Sequence, residues 1–246
     1  MPTPPLFLLP VLPPGDRVVL DGDEGRHAAR VKRLGVGESV LVSDGRGTLL
    51  SCVVAGVRPD GLELDVRSRL VAPQPEPRLV VVQALPKGER AELAVEVLTE
   101  LGVDEIVPWA ASRSIVQWSG PRGAKALEKW RRTAAEAAKQ SRRARVPDVA
   151  DLASTAAVAK RLATSTAFVL HESAAVSLGA LSAGELPDSG DVVVVVGPEG
   201  GISDAELAAF ADAGAATVRL GEPVLRTSTA GAAALAVLSA RLGRWS

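Results

Sequence analysis

The stretch VVVVVGPEGGISDAEL, Val192–Leu207, decides how the rest of the chain is read. Five valines in a row predict a buried strand, and Ser203 with Glu206 three residues later is the capping box that opens a helix. Between them lies Gly197-Pro198-Glu199-Gly200-Gly201. Strand, glycine loop and helix are the grammar of a nucleotide site, yet neither G-x-G-x-x-G nor G-x-x-x-x-G-K-[ST] is present. The capping box occupies amides that a phosphate would need, and Glu199 adds negative charge. The loop suits a ligand that is neutral or cationic at the contact, such as an adenosine carrying a sulfonium. The plainer alternative is an ordinary β–α turn in which Glu199 favours the helix dipole.

Outward from this stretch, buried strands alternate with helices. RLVVVQALP (78–86), EIVPW, AFVLHE, VVVVVG and ATVRLG read as strands. GERAELAVEVLTELG (88–102) reads as an amphipathic helix with Leu93, Val97 and Leu101 on its apolar face and Gly102 as C-cap. GAKALEKWRRTAAEAAKQSRR (123–143), DAELAAFADAG and STAGAAALAVLSARLG read as further helices. The alternation predicts an α/β domain with a mostly parallel sheet over 73–246. Its start is marked by Pro73, Pro75 and Pro77, which hold the backbone extended and out of a sheet interior. Before them, DRVVLDG, ESVLVSDGRG, TLLSCVVAGV and GLELDVRSRL are short β-rich runs, with a hairpin turn at Pro59-Asp60-Gly61 and one helical segment, GDEGRHAARVKRLG. Residues 1–72 therefore predict a small β-barrel.

Composition narrows the function. Hydrophobic residues at 47% and charged ones at 23% describe a globular protein, and aromatics at 3% with no Tyr argue against base-stacking platforms. Cys52, His27 and His171 are too few and scattered for a zinc site, so no metal is expected. One cysteine and no membrane-length apolar run fit a cytoplasmic protein. The net charge of −1 conceals a strong asymmetry: residues 113–146 carry +8, against 0 for 1–72, −4 for 73–112 and −5 for 147–246. Within 121–146, nine basic side chains face two acidic ones, which favours a phosphate-backbone surface over a merely solvated face. RHAARVKR (26–33), with Arg30, Lys32 and Arg33, forms a second, smaller patch.

Near the C-terminus, Thr227, Ser228 and Thr229 read as helix N-caps, whereas Arg226 beside Val224-Leu225 is either a buried anchor or a substrate clamp. His171, at the carboxyl end of a strand, sits where α/β ligands bind, with a hydrogen-bonded structural role the leading alternative.

LHE (170–172), GPEGG (197–201) and LGEPVLRTSTA (220–230), in this order, resemble the SPOUT methyltransferases. Within them the chain resembles the RsmE-type family, which methylates N3 of a uridine in small-subunit 16S rRNA; KGERAE (87–92), TELGVDEIVP (99–108), Arg113-Ser114 and AAEAAKQSRRARVP (134–147) extend the match over both domains. The resemblance implies an N-terminal PUA-like barrel, a C-terminal α/β domain with a deep trefoil knot, a homodimer, and S-adenosylmethionine as cofactor. Carried over position by position, it puts the cofactor against Leu170, His171, Glu172, Gly197, Pro198, Glu199, Gly200, Gly201, Leu220, Gly221, Leu225, Arg226 and Thr227. It implies catalytic roles for Arg226, stabilising a developing uracil anion, and for Glu199, as a base or a shaper of the loop. Arg30, Lys32, Arg33, Arg113, Arg132, Gln140, Arg142 and Arg143 would hold RNA. The chain departs from the family pattern where Ser228 replaces a glutamate, and it lacks a lysine before TELG and an arginine near the start. Two rivals stand beside this reading: a SPOUT enzyme acting on a ribose 2′-hydroxyl of tRNA or rRNA, and a non-catalytic RNA-binding assembly factor.

Overall fold

The structure is a computed structural model describing residues 3–245; residues 1, 2 and 246, included above in the two expected domains, lie outside the described residues. The chain forms two compact units, one of residues 1–74 with 138–146, the other of 75–137 with 147–246. The division at 74/75 lies within the proline-rich stretch, and residues 138–146 group with the first unit.

In the first unit five strands, β1 (Leu6–Leu8), β2 (Arg17–Leu20), β3 (Ser39–Ser43), β4 (Thr48–Arg58) and β5 (Gly61–Val71), pair in the order β1-β3-β4-β5-β2. All pairings are antiparallel except β1 with β3. Alternate residues point inward, and Phe7, Val18, Leu20, Val40, Val42, Leu50, Cys52, Leu62 and Leu64 close the core. Pro59 and Asp60 form the expected two-residue turn between Arg58 and Gly61. The segment 22–35 is helical only in part: α1 (Gly22–Arg26) runs into a π-helical turn, His27–Val31. Segment 138–146 is attached by main-chain bonds to the β3–β4 turn. Gly47 N–H and Ser43 Oγ both donate to the Ala144 carbonyl, at 3.0 and 2.8 Å, and Val146 N–H donates to the Gly45 carbonyl at 2.9 Å. Lys139 Nζ pairs with Glu24 at 2.7 Å.

The second unit is a three-layer α/β sandwich. Its seven strands, β6 (Arg78–Ala84), β7 (Glu105–Trp109), β8 (Asp148–Val149), β9 (Thr166–Leu170), β10 (Val176–Ser177), β11 (Asp191–Val196) and β12 (Ala216–Arg219), lie in the order β10-β12-β9-β11-β6-β7-β8, and every pairing is parallel. The valine run sits in the middle, register-matched to β6 and β9. Val192, Val194 and Val196 face one apolar layer with α2 (Arg90–Glu100), α3 (Gly120–Gln140) and α6 (Thr227–Arg241). Val193 and Val195 face the other, with α4 (Thr155–Leu162) and α5 (Asp204–Asp212). An unbroken apolar strand is needed because both faces are covered.

Two local expectations change. On α2 the buried face is Ala94, Val95 and Leu98; Leu93 is 44% exposed, while Val97 and Leu101 are half-buried. The helix is rotated about one position from the expected face because it packs on both the sheet and α6. Gly102 does end it, with φ +93 and N–H groups of Gly102 and Val103 returning to the Thr99 and Leu98 carbonyls. At the other terminal helix, the N-cap is Arg226, with extended backbone and no side-chain cap. Thr227 and Ser228 are buried, so the hydroxyl cluster does not cap α6 as expected.

Candidate functional site

The carboxyl ends of β9, β11 and β12 open into one cavity of about 600 Å³ within the second unit. Three loops wall it: Leu170–Glu172 after β9, Gly197–Ile202 after β11, and Leu220–Thr227 between β12 and α6. This is the end of a parallel sheet where ligands of open α/β folds bind. The volume lies within the range of small-molecule sites. All of Leu170, His171, Glu172, Gly197, Pro198, Glu199, Gly200, Gly201, Leu220, Gly221, Leu225, Arg226 and Thr227 line it. Three stretches widely separated in sequence are therefore brought together by strand order alone.

Sequence reasoning missed Arg90 at the start of α2, Arg219 at the end of β12, and Asp204. Arg113, expected only as an RNA contact, lines the same cavity. The wall thus carries four arginines, at 90, 113, 219 and 226, against three carboxylates, at 172, 199 and 204. The only advance signal for Arg90 and Arg219 was position: each flanks an element end at the carboxyl edge of the sheet.

The glycine loop is shaped by close approach. A methyl group at Gly200 would lie 2.9 Å from the Arg113 carbonyl oxygen, and one at Gly197 would lie 2.7 Å from Ile202 Cγ1. Gly201 has φ +74, in the left-handed region. Glu199 is exposed, and its Oε1 accepts the Lys87 N–H at 3.2 Å, which clasps the loop to the segment after β6. Behind the loop, the capping box forms as the sequence predicts. Burial opposes ionisation of Glu206, but hydrogen bonds from Ser112 and Ser203 outweigh it and hold the carboxyl below its ordinary value.

His171 donates its backbone N–H to the Val218 carbonyl at 2.9 Å, and its Nδ1 lies 2.8 Å from Ser173 Oγ. Gln83, a polar residue buried in β6, donates Nε2 to the Ala84 and Thr227 carbonyls at 3.0 and 3.2 Å, pinning the start of α6 to the sheet. It stands out in the sequence only as a lone amide in a valine run. Arg226 is exposed at the uncapped N-terminus of the 15-residue α6. That end of the helix carries unpaired N–H groups and the positive end of the dipole.

The expected RNA contacts are divided between the two units. Arg113 and the exposed Arg132 belong to the second unit. Arg30, Lys32, Arg33, Gln140, Arg142 and Arg143 all belong to the first, where 138–146 joins the barrel. Arg30 donates Nε and Nη2 to the Pro59 carbonyl at 3.1 and 3.0 Å, bracing the hairpin turn. Among the described residues, no group of three or more His, Cys, Asp or Glu side chains could hold a metal ion, and no helix is long and apolar enough to cross a membrane.

A parallel α/β sandwich with three loops converging on one cavity, in a chain that also carries a small β-barrel unit, defines a class: a ligand-binding domain with a barrel module in the same chain. Family models make the class specific. Residues 73–239 match an RNA methyltransferase domain, and residues 20–67 match an RNA methyltransferase PUA domain. The chain is 45% identical to a ribosomal RNA small subunit methyltransferase E from Mycobacterium bovis, over 98% of this chain and 93% of that protein. It is 30% identical to the protein of that name from Bacillus subtilis, over 89% of this chain and 88% of that one. The crystal structure of a ribosomal RNA small subunit methyltransferase E from Neisseria gonorrhoeae, bound to S-adenosyl methionine, superposes with a TM-score of 0.83. It is 27% identical and covers 97% of this chain and 98% of that one. The chain belongs to the ribosomal RNA small subunit methyltransferase E family.

Proposed function

We propose that the protein transfers a methyl group from S-adenosylmethionine to N3 of a specific uridine in 16S rRNA. The observation that carries this reading is the single cavity built from the Leu170–Glu172, Gly197–Gly201 and Leu220–Thr227 loops, beside an arginine at an uncapped helix N-terminus. The residues present fit such a cofactor. The glycine loop packs tightly on Ile202 and Arg113, which a methyl group at Gly197 or Gly200 would strike, and its glycines put no side chain of their own between the backbone and a bound adenosine. Carboxylates at 172, 199 and 204 offer partners to a sulfonium, while the arginines at 90, 113, 219 and 226 leave the same wall able to meet anionic groups of the RNA. When bound, the cofactor supplies an already activated methyl group.

The chain's own residues then have two tasks. The first is to hold the base in line, which supplies rate through positioning alone. The second is to stabilise the anion left when N3 gives its proton to solvent, before that electron pair forms the N–CH₃ bond and the C–S pair departs with the sulfur as a neutral thioether. Arg226 and the positive end of α6 stabilise that developing uracil anion. Glu199, engaged by the Lys87 N–H, shapes the loop rather than taking the proton.

RNA is held by Arg113 and Arg132 on the α/β domain and by Arg30, Lys32, Arg33, Gln140, Arg142 and Arg143 on the barrel unit, so the barrel serves in RNA recognition. The backbone supports this for two of them. Among the described residues, the non-glycine residues with left-handed φ are Arg33 and Arg142, both at 54°. Such a position costs a side-chain-bearing residue roughly 1–2 kcal/mol, which glycine would avoid. Keeping an arginine there makes sense if the guanidinium itself is used. The homodimer, the cytoplasmic location and the knotted path implied by resemblance belong to the same reading. The last strand, β12, lies between β9 and β10, and α6 returns to pack near β6 and β11.

Calorimetric titration with S-adenosylmethionine, followed by methyl transfer from labelled cofactor to 16S rRNA, tests the proposal. Saturable binding and labelled rRNA are expected. No cofactor binding even with RNA present would favour an assembly factor instead.

A further inference from the structure

Glu206 does more than cap α5. A capping box needs the carboxylate to accept only the N-cap N–H. Here the carboxylate is 4% exposed and accepts from several groups. Ser203 N–H and Oγ donate to Oε2 at 2.9 and 2.7 Å. Ser112, 94 residues earlier in the chain, donates its N–H to Oε1 at 2.7 Å and its Oγ to Oε2 at 2.9 Å. Thr155 Oγ1 adds a bond to Oε1 at 3.3 Å and itself accepts the Trp109 indole N–H at 3.2 Å. The Ser112 bonds are not part of the α5 capping box. They fasten the turn that begins at Ala111, whose carbonyl accepts the Ser114 N–H at 3.0 Å.

That turn carries Arg113. Its backbone lies flush against the glycine loop, so that a methyl group at Gly200 would meet the Arg113 carbonyl at 2.9 Å and the Arg113 Cβ at 3.1 Å. Its guanidinium reaches within 3.9 Å of where a Cβ on Gly201 would be. One buried carboxylate thus ties together the helix that follows the glycine loop and the turn that presents Arg113 to the cavity.

We propose that Glu206 is a positioning residue for methyl transfer: acting through Ser112, it holds Arg113 at the cavity wall to receive an RNA phosphate. The inference rests on the proposed function, since it assigns Arg113 an RNA ligand. An arginine at the end of an unfastened turn would sample many positions, and loss of positioning is felt in substrate binding and turnover rather than in cofactor affinity.

Four variants of the full-length protein test this: Glu206→Gln, Ser203→Ala, Arg113→Ala, and Arg113→Ala with Glu206→Gln. Glu206→Gln should lower kcat/KM for 16S rRNA about tenfold, mainly through KM, with the affinity for S-adenosylmethionine changed less than about threefold. Ser203→Ala removes the local cap and the 3.2 Å bond from Ser112 Oγ to Ser203 Oγ but leaves both Ser112 bonds to Glu206, and should lower kcat/KM less than about twofold although it also costs stability. Adding Glu206→Gln to Arg113→Ala should bring less than about a twofold further loss, because both act through one contact. Equal losses from Glu206→Gln and Ser203→Ala, or losses that multiply in the double variant, would overturn the proposal. Hydrogen exchange reads the latch without any reaction: the Ser112 and Arg113 amides should exchange faster in Glu206→Gln and not in Ser203→Ala. Unchanged exchange in Glu206→Gln would overturn the latch alone. Absence of methyl transfer by the wild-type protein would overturn the functional reading on which its purpose depends.

Discussion

Three glycines of the cavity wall should respond to alanine in a fixed order. At Gly200 the new methyl would sit 2.9 Å from the Arg113 carbonyl oxygen and 3.1 Å from its Cβ, and neither atom is the free end of a flexible side chain. The turn at 111–114 must move, or the glycine loop must. Overpacking of this kind costs roughly 1–3 kcal/mol. At roughly 2–4 °C per kcal/mol for a unit of this size, Tm should fall by about 2–12 °C. At Gly201 space is available, the nearest atom being Arg113 Nη1 at 3.9 Å, but φ is +74. Alanine there pays for backbone strain of roughly 1–2 kcal/mol, or about 2–8 °C. At Gly221 the nearest atom is Pro223 Cδ at 3.7 Å, an ordinary contact, and φ lies outside the left-handed region. Its Tm should move by no more than about 2 °C. Differential scanning calorimetry of the three variants reads the order, and cofactor titration of each shows whether the wall has shifted. If Gly221→Ala destabilises as much as Gly200→Ala, or Gly200→Ala leaves Tm unchanged, the close packing of Arg113 on the glycine loop is wrong.

Arg226→Ala should reduce methyl transfer by about 10²-fold or more while Tm stays near the wild-type value, measured with labelled cofactor; near-normal turnover removes Arg226 from the mechanism. Burial raises the Cys52 thiol to about 11, with Arg69 opposing the shift only weakly, so a thiol reagent at mildly alkaline pH should label Cys52 only as fast as the barrel opens. Because Glu206 titrates below its ordinary 4.5, the stability it contributes is complete above that value and is lost as pH falls beneath it. Glu206→Gln should therefore flatten the acid limb of the Tm–pH curve. Arg244 Nη2 pairs with Asp104 at 2.7 Å, where the carboxylate is almost wholly buried. Arg244→Ala should cost about 3 kcal/mol in chemical denaturation.

The parts of the fold that local chemistry dictates were legible in the sequence. An apolar pentavaline, a capping box at Ser203 and Glu206, and a glycine at the left-handed end of α2 each specify their own structure. The same holds for the hairpin turn at Pro59-Asp60. What pairing at a distance decides was hidden. Residues 138–146 continue a helical, basic pattern, and long-range bonds such as those of Ala144 to Gly47 and Ser43 draw them to the barrel. The apolar face of α2 was misplaced because Leu93 and Leu98 are equally apolar, and packing against the sheet and α6 selects between them. β8, α4 and β10 were missed for their brevity, and β1 because prolines flank it. At the site, three loops were readable as motifs, whereas Arg90, Arg219 and the Glu206–Ser112 link depend on which element ends the strand order brings together.

On the proposed reading, one cavity in the α/β domain serves base methylation of ribosomal RNA. 16S rRNA from cells lacking this enzyme should be incubated with the protein and S-adenosylmethionine, digested to nucleosides and analysed by mass spectrometry. A single new methyl group carried on the uracil ring at N3 is the predicted result. A methyl group on a ribose 2′-oxygen, or rRNA left unmodified by a protein that binds it, would contradict the account.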